Sequence, residues 1–403
     1  MPTLSFRGAG ARYPNGTVAL VDVTFEVGDG EIVALLGPPG SGKSSVLRLG
    51  SGELAPATGS VLIDGTACSR FRARNRPAAL VDTRRDTTRR RTVAEHIGRP
   101  MQVAGVGTWT RTCHIAELAE RLHVGDLLPY PLDGLSAGQR RRVAVATALA
   151  RRPRMLLLDE PLAGVDEETE AVLREVLRQF RAERRTILYA TADPAEAAGI
   201  ADRVALLHGG RLRDSGTPRD LADRPGTVLG AVALGDPPMN LVEAGVHAEQ
   251  DRHVVLTIGR QNHWMPWNDL RSRSIARFHG ERIVLGVRPD AVLPGGSGFV
   301  LTGVVQGVEQ RPGGVYAVLD TGAGGIDPHG GGEPDGGDVL TPLDRPPRRA
   351  LFRVRLGPHD RPPVNARMAV GFDARSLHAF DRHGRRIHLP VTAPRTPVPA
   401  DHG

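Results

Sequence analysis

The sequence has almost no cysteine, almost no lysine and no long apolar run. Two cysteines occur in 403 residues, Cys68 and Cys113, far apart and without a CxxC pair or His-rich neighbour. That usage excludes a disulfide framework and a zinc site and leaves two free thiols. No stretch reaches the roughly 18 consecutive apolar residues of a membrane-spanning helix. The start, Met1-Pro2-Thr3-Leu4-Ser5, lacks the charged and apolar regions of a signal peptide. The expectation is a soluble, cytosolic chain. No repeat recurs at a fixed period, which excludes solenoids and propellers.

Of 52 basic residues only one, Lys43, is lysine, so its position is informative. The net charge of +7 raises the question of nucleic acid or an anionic surface, but the excess is thinly spread along the chain.

Chain length predicts two unequal domains, divided at residues 234 and 235. Residues 1 to about 30 alternate apolar and polar positions (Val18, Leu20, Val23, Phe25, Val27), with turns at Pro14-Asn15-Gly16 and Gly28-Asp29-Gly30, which predicts short antiparallel strands. Ile32 to Leu36 is a continuous apolar run, followed by a glycine loop and the helical pattern Val46, Leu47, Leu49. Two further buried-strand runs, Met155 to Leu158 and Thr186 to Ala190, alternate with helical stretches, as a sheet covered on both faces requires. From Gly235 onward helical periodicity fades and β-rich segments appear, including 254–258, 283–285 and 315–319. This half is predicted to be a small β-barrel-like domain, with a flexible Gly/Pro/Asp-rich loop over 321–347 and a disordered tail in 235–403.

Gly37 to Ser44 (Gly37, Pro38, Pro39, Gly40, Ser41, Gly42, Lys43, Ser44) reads G-x-x-x-x-G-K-S between a predicted strand and helix. The glycines let backbone amides curl around phosphate oxygens, the helix presents its positive end, and Lys43 bridges the β and γ phosphates. Ser44 is expected to ligate magnesium, and the adjoining Ser45 to belong to the same nucleotide site. Met155 to Leu158 ends in Asp159 and Glu160, which places two carboxylates at the carboxyl edge of the sheet. Asp159 is expected to hold magnesium through water, and Glu160 to be the catalytic base for attack on the γ phosphate. Together these motifs predict an NTPase using ATP and Mg²⁺.

Between them lies Leu135-Ser136-Ala137-Gly138-Gln139, followed by a basic amphipathic helix from Arg140 to Ala150. This resembles the LSGGQ signature of ABC ATPases, and phosphate loop, signature and carboxylate strand follow in the order of that family. The resemblance implies a P-loop ABC ATPase fold, a mixed sheet flanked by helices with a helical subdomain, in 1–234. It also implies a head-to-tail dimer, in which Ser136, Gly138 and Gln139 close over ATP held by a second ABC ATPase subunit, identical or homologous. Tyr13 matches the family's adenine-stacking aromatic, and an ordinary turn tyrosine is an equal reading. Asp236 to Asn240, Leu285 to Asp290 and Leu377 to Asp381 look like landmarks of the OB-like regulatory domain of maltose-type sugar-importer ATPases. The implied partners are transmembrane permease subunits and an extracytoplasmic substrate-binding protein, with this chain peripheral on the inner face of the cell membrane. A nucleic-acid-associated ABC protein would call for tandem ABC domains and a continuous basic patch, and neither is present.

Two positions depart from the family pattern. Thr83 occupies the place of the glutamine that senses magnesium and attacking water, and Ala192 that of the histidine contacting the γ phosphate. Arg84, Arg85, Arg89, Arg90 and Arg91 stand where the family receives its membrane partner on apolar residues, which fits either an acidic partner or a solvated basic loop. Two activities remain open: a slow ATPase motor, and a non-hydrolysing ATP-binding clasp or heterodimer subunit.

Overall fold

The computed structural model describes residues 3–68, 77–82, 91–249, 252–311, 313–328, 338–340 and 349–390. Two compact units divide the chain, Met1–Leu221 and Ala222–Gly403. In the first unit, β1 (Leu4–Arg12) and β2 (Val18–Val27) pair antiparallel, and β4 (Thr58–Ile63) and β5 (Thr66–Ala67) extend that sheet. A second sheet contains β3 (Ile32–Leu36), β6 (Ala78–Asp82), β7 (Met155–Asp159), β8 (Thr186–Thr191), β9 (Arg203–His208) and β10 (Arg211–Gly216), in the order β10-β9-β3-β8-β7-β6. Only β10 runs antiparallel to its neighbour. β3, β7 and β8 are buried at every position, which explains why they read as unbroken apolar runs.

Helix α1 (Lys43–Ser51) packs through Val46, Leu47 and Leu49 into a core shared with both sheets. A helical subdomain consists of α2 (Val93–Val103), α3 (Thr108–Arg121) and α4 (Ala137–Leu149). α5 (Glu167–Ala182) and α6 (Pro194–Ile200) complete the wrapping of the sheet. No helix among the described residues is long and apolar enough to cross a membrane.

The division at Leu221 comes earlier than the expected 234. The short helix α7 (Pro218–Asp223) crosses it, and α8 (Val228–Ala233) belongs to the second unit, where Val228 and Ala231 share a core with Met239, Val284 and Phe380. Periodicity shows that Val228 and Ala231 are apolar but not which core they join.

The second unit is β-rich. One antiparallel sheet holds β11 (Asn240–Glu249), β12 (His253–Ile258), β13 (Gln261–Pro266), β14 (Arg282–Val287), β20 (His378–Phe380) and β21 (Arg386–Ile387), with α9 (Leu270–Ala276) packed on it. The other holds β15 (Leu293–Pro294), β16 (Phe299–Arg311), β17 (Gly314–Gly324), β18 (Arg349–Leu356) and β19 (Arg367–Phe372). Their inward faces form one core, from Val242, Val254 and Leu285 on one sheet to Leu301, Phe352 and Val370 on the other.

The expected loop over 321–347 needs correction at its start. β17 continues to Gly324, Ala323 is buried in the core, and Ile326 bridges Leu340. The glycines there do not break the strand because Gly324 pairs with Arg349 across the sheet. Residues 329–337, 341–348 and the tail from 391 lie outside the described residues.

Candidate active site

The site begins at the end of β3, held in parallel pairing between β8 and β9. A Cβ on Gly37 would lie 2.2 Å from the Leu207 carbonyl oxygen, so only glycine fits. Gly42 has φ 105°, a conformation that L side chains rarely adopt, and it begins α1 without a capping side chain. Pro38, Pro39 and Gly40 are exposed at the tip, while Ser44 is half-buried in the first turn of α1. Ser41 is buried, and its Oγ has no hydrogen-bond partner among the described residues. A buried donor with no partner, beside a cradle that no Cβ could enter, fits a phosphate group.

Lys43 is 4% exposed, and its Nζ donates to the carbonyls of Gly37 at 2.7 Å and Pro38 at 3.2 Å. The same ammonium lies 3.4 Å from Glu160 Oε1. Asp159 is buried at the end of β7, paired with Ala190, and the Glu160 amide donates to the Ala190 carbonyl at 2.9 Å. Glu160 has φ 47°, which places a non-glycine residue in the left-handed region at the sheet edge. The structure thus brings Gly37 to Ser45, Asp159 and Glu160 together. Tyr13 stands beside them: its hydroxyl is 3.0 Å from Ser45 Oγ and accepts from Arg48 at 3.2 Å. Ser44 and Asp159 offer a hydroxyl and a carboxylate, the oxygen donors that magnesium prefers when phosphates and water complete its shell.

The signature is built differently. Ser136 caps α4, its Oγ accepting from the Gln139 amide at 3.1 Å, while Gln139 Oε1 accepts from the Ser136 amide at 2.8 Å. Neither residue bonds to the phosphate loop among the described residues. Gly138 is buried because a Cβ there would lie 2.5 Å from Asp166 Oδ2 and Thr169 Oγ1. It therefore lets α4 pack on the start of α5.

Three participants were not singled out from the sequence. Arg141 on α4 donates to the carbonyls of Pro161 at 3.2 Å and Ala163 at 2.5 Å, tying the signature helix to the segment after Glu160. Burial lowers its pKa, and the charge of Glu160 opposes that shift. Asp166 caps α5, and hydrogen bonds from the Thr169 amide and hydroxyl hold its carboxyl below the usual range. Glu196 accepts from Thr191 Oγ1 at 2.7 Å and Tyr189 OH at 3.0 Å. Burial, then Glu196, raises the Tyr189 pKa. Arg141 was hidden in a run of arginines, and Glu196 is separated from the carboxylate strand by a whole crossover. Ala192 is exposed between Thr191 and the α6 cap Asp193. Thr83 and Arg84 to Arg90 lie outside the described residues.

The sequence profile described as ABC transporter matches residues 20–163. The chain is 30% identical over 391 residues to the sulfoquinovosyl glycerol transport ATP-binding protein SmoE of Agrobacterium fabrum, covering 96% of this chain and 100% of that protein. It is 34% identical over 298 residues to the sn-glycerol-3-phosphate import ATP-binding protein UgpC 1 of Rhizobium johnstonii, covering 72% and 77%. The maltose/maltodextrin import ATP-binding protein MalK of Mannheimia succiniciproducens is 30% identical over 311 residues, covering 77% and 83%. Among solved structures, the ATP-binding subunit of an ABC transporter aligns with a TM-score of 0.50 at 26% identity, over 54% of this chain and 91% of that one.

Proposed function

The chain belongs to the ABC transporter ATP-binding proteins, and from that premise we propose that it binds and hydrolyses ATP to drive a carbohydrate importer. The observation that carries this reading is the meeting of Lys43 and Glu160 at 3.4 Å beside a cradle made by Gly37 and Gly42. In our reading the loop amides and Lys43 take the β and γ phosphates, which releases the lysine from the Gly37 and Pro38 carbonyls and from Glu160. Glu160, freed from its ion pair, orients the attacking water and accepts its proton. Ser44, and Asp159 through water, would hold magnesium, which would supply positive charge beside the phosphates. Tyr13, with its hydroxyl fixed by Ser45 and Arg48, offers its ring to the adenine.

Ser136, Gly138 and Gln139 serve a second subunit, because α4 presents a satisfied amino end with Ser136 exposed, and Ser136 and Gln139 make no bond to the phosphate loop among the described residues. The family relationship supports transmembrane permease subunits as partners, an extracytoplasmic substrate-binding protein in the full importer, and a place on the cytoplasmic face of the membrane. Ala192 brings no imidazole to the γ phosphate, so turnover is slow. The test is magnesium-dependent ATP turnover by the purified chain, with nucleotide binding measured in parallel. Turnover that disappears in Glu160→Gln while binding persists supports the reading; binding without any turnover by the unaltered chain overturns it.

A further inference from the structure

The backbone that carries Glu160 is strained in two ways. Its φ of 47° lies where a side chain crowds the chain, and the following Pro161 pushes its predecessor towards extended backbone instead. Such a conformation persists only where its surroundings over-determine it. Two backbone hydrogen bonds hold Glu160 itself: its amide donates to the Ala190 carbonyl at 2.9 Å, and its carbonyl accepts from the Ala163 amide at 3.3 Å. Leu162 is buried and anchors the same turn. Two further carbonyls of the turn, those of Pro161 and Ala163, accept from a single atom of another element, Arg141 Nη1, at 3.2 and 2.5 Å.

Three consecutive arginines on α4 have separate partners. Arg140 returns to the Leu135 carbonyl beside its own helix cap at 2.5 Å. Arg142 is buried and donates to the His123 carbonyl at 3.2 Å and to Glu168 at 3.0 Å. Among the described residues, Arg141 is the one of the three that crosses to the segment after Glu160. It is half-buried, so water screens it less than a surface arginine. Burial lowers its pKa, and Glu160 leads the charges that oppose this shift, which puts the guanidinium in the field of the proposed base.

We propose that Arg141 is a positioning residue for hydrolysis: by clamping the Pro161 and Ala163 carbonyls it fixes the backbone from which Glu160 meets the attacking water. The inference rests on the reading of Glu160 as the base. Lys43 lies 3.4 Å from the Glu160 carboxylate. Once phosphates engage that lysine, the direction of the carboxylate depends on its own backbone, and the clamp then carries the alignment. Arg141 acts on the base and not on the nucleotide, so its loss lowers kcat and spares ATP binding.

The test measures magnesium-dependent ATP turnover, ATP affinity and thermal unfolding of the full chain and its variants. Arg141→Met keeps the aliphatic stem and removes both donors; kcat should fall about 10- to 100-fold, with KM and affinity unchanged. Both hydrogen bonds leave one nitrogen, so the ammonium of Arg141→Lys can replace them and should recover most of the turnover. Arg141→Met/Glu160→Gln should be no slower than Glu160→Gln alone, because a residue that acts through the base then has nothing to act on. Should Arg141→Met not fold, Arg141→Gln, whose amide is too short to span both carbonyls, carries the same comparison. Turnover that Glu160→Gln abolishes but Arg141→Met leaves unchanged overturns the positioning role alone. A loss that appears in KM, or that adds in full to that of Glu160→Gln, also overturns it. Absence of turnover by the unaltered chain overturns the reading of Glu160 as base, and this inference with it.

Discussion

The phosphate-loop site of the first unit and the polar networks of the second treat their charged groups in opposite ways. In the first, Lys43, Asp159 and Glu160 converge at one sheet edge, one of them in a left-handed backbone conformation, and Ser41 Oγ is buried with no partner among the described residues. In the second, the groups around Glu309, Arg288 and Asn240 satisfy one another. Glu309 accepts from Arg353 at 3.1 Å and Arg311 at 2.9 Å, and these hydrogen bonds hold its carboxyl below the usual range. Arg288 donates to the Leu234 carbonyl at 2.9 Å and to the Ala222 carbonyl. Asn240 pairs with the Arg353 backbone as a strand would, donating at 2.7 Å and accepting at 2.7 Å. Polar groups under-satisfied at a sheet edge mark a place where a substrate completes the structure; polar groups satisfied within a fold mark architecture.

The comparison is broken most directly at Glu160. Glu160→Gln removes the proposed base, and steady-state turnover should fall by about 10²- to 10⁴-fold with ATP binding retained. A turnover loss accompanied by an equal loss of thermal stability would show that the first unit also uses this charge structurally. Next, Ala192→His should raise turnover by up to about 100-fold, because it restores a donor to transition-state charge; unchanged turnover would mean that Glu196, Thr191 and Tyr189 leave the new ring no productive position.

The second unit should answer to acid. Burial, and then the charges of Arg386 and Arg288, lower the His378 pKa from 6.5 to about 4. The unfolded chain therefore binds this proton more readily than the folded one. Stability from His378 is full above 6.5 and is lost as pH falls towards 4, with a total of about 2–3 kcal/mol after allowing for partial exposure. Thermal unfolding across that window should show the loss, and His378→Gln should flatten it. The smallest effect is expected at the signature. Ser136→Ala deletes one half of the capping box and should cost about 1 kcal/mol in unfolding free energy, while mixing it with unaltered chain should lower turnover through the neighbour's site.

Much of this was legible beforehand. The phosphate loop, the carboxylate strand and the signature helix are local: five buried apolar residues make β3, Gly37 and Gly42 answer to close contacts and to φ, and Ser136 with Gln139 is a capping pattern. The landmark strings of the second unit were also legible as positions, although their residues proved to be core and hydrogen-bonding groups, such as Phe380 and Asn240.

By itself, then, the sequence determined the strands, the glycine cradle, the single lysine and the order of motifs, because each depends on burial, φ or capping within a few residues. Only the tertiary structure decided that Lys43 meets Glu160, that Arg141 ties α4 to Pro161 and Ala163, and that α8 joins the second core. Those contacts join segments far apart in the chain, and hydrophobic periodicity says which face of an element is buried without saying what it is buried against.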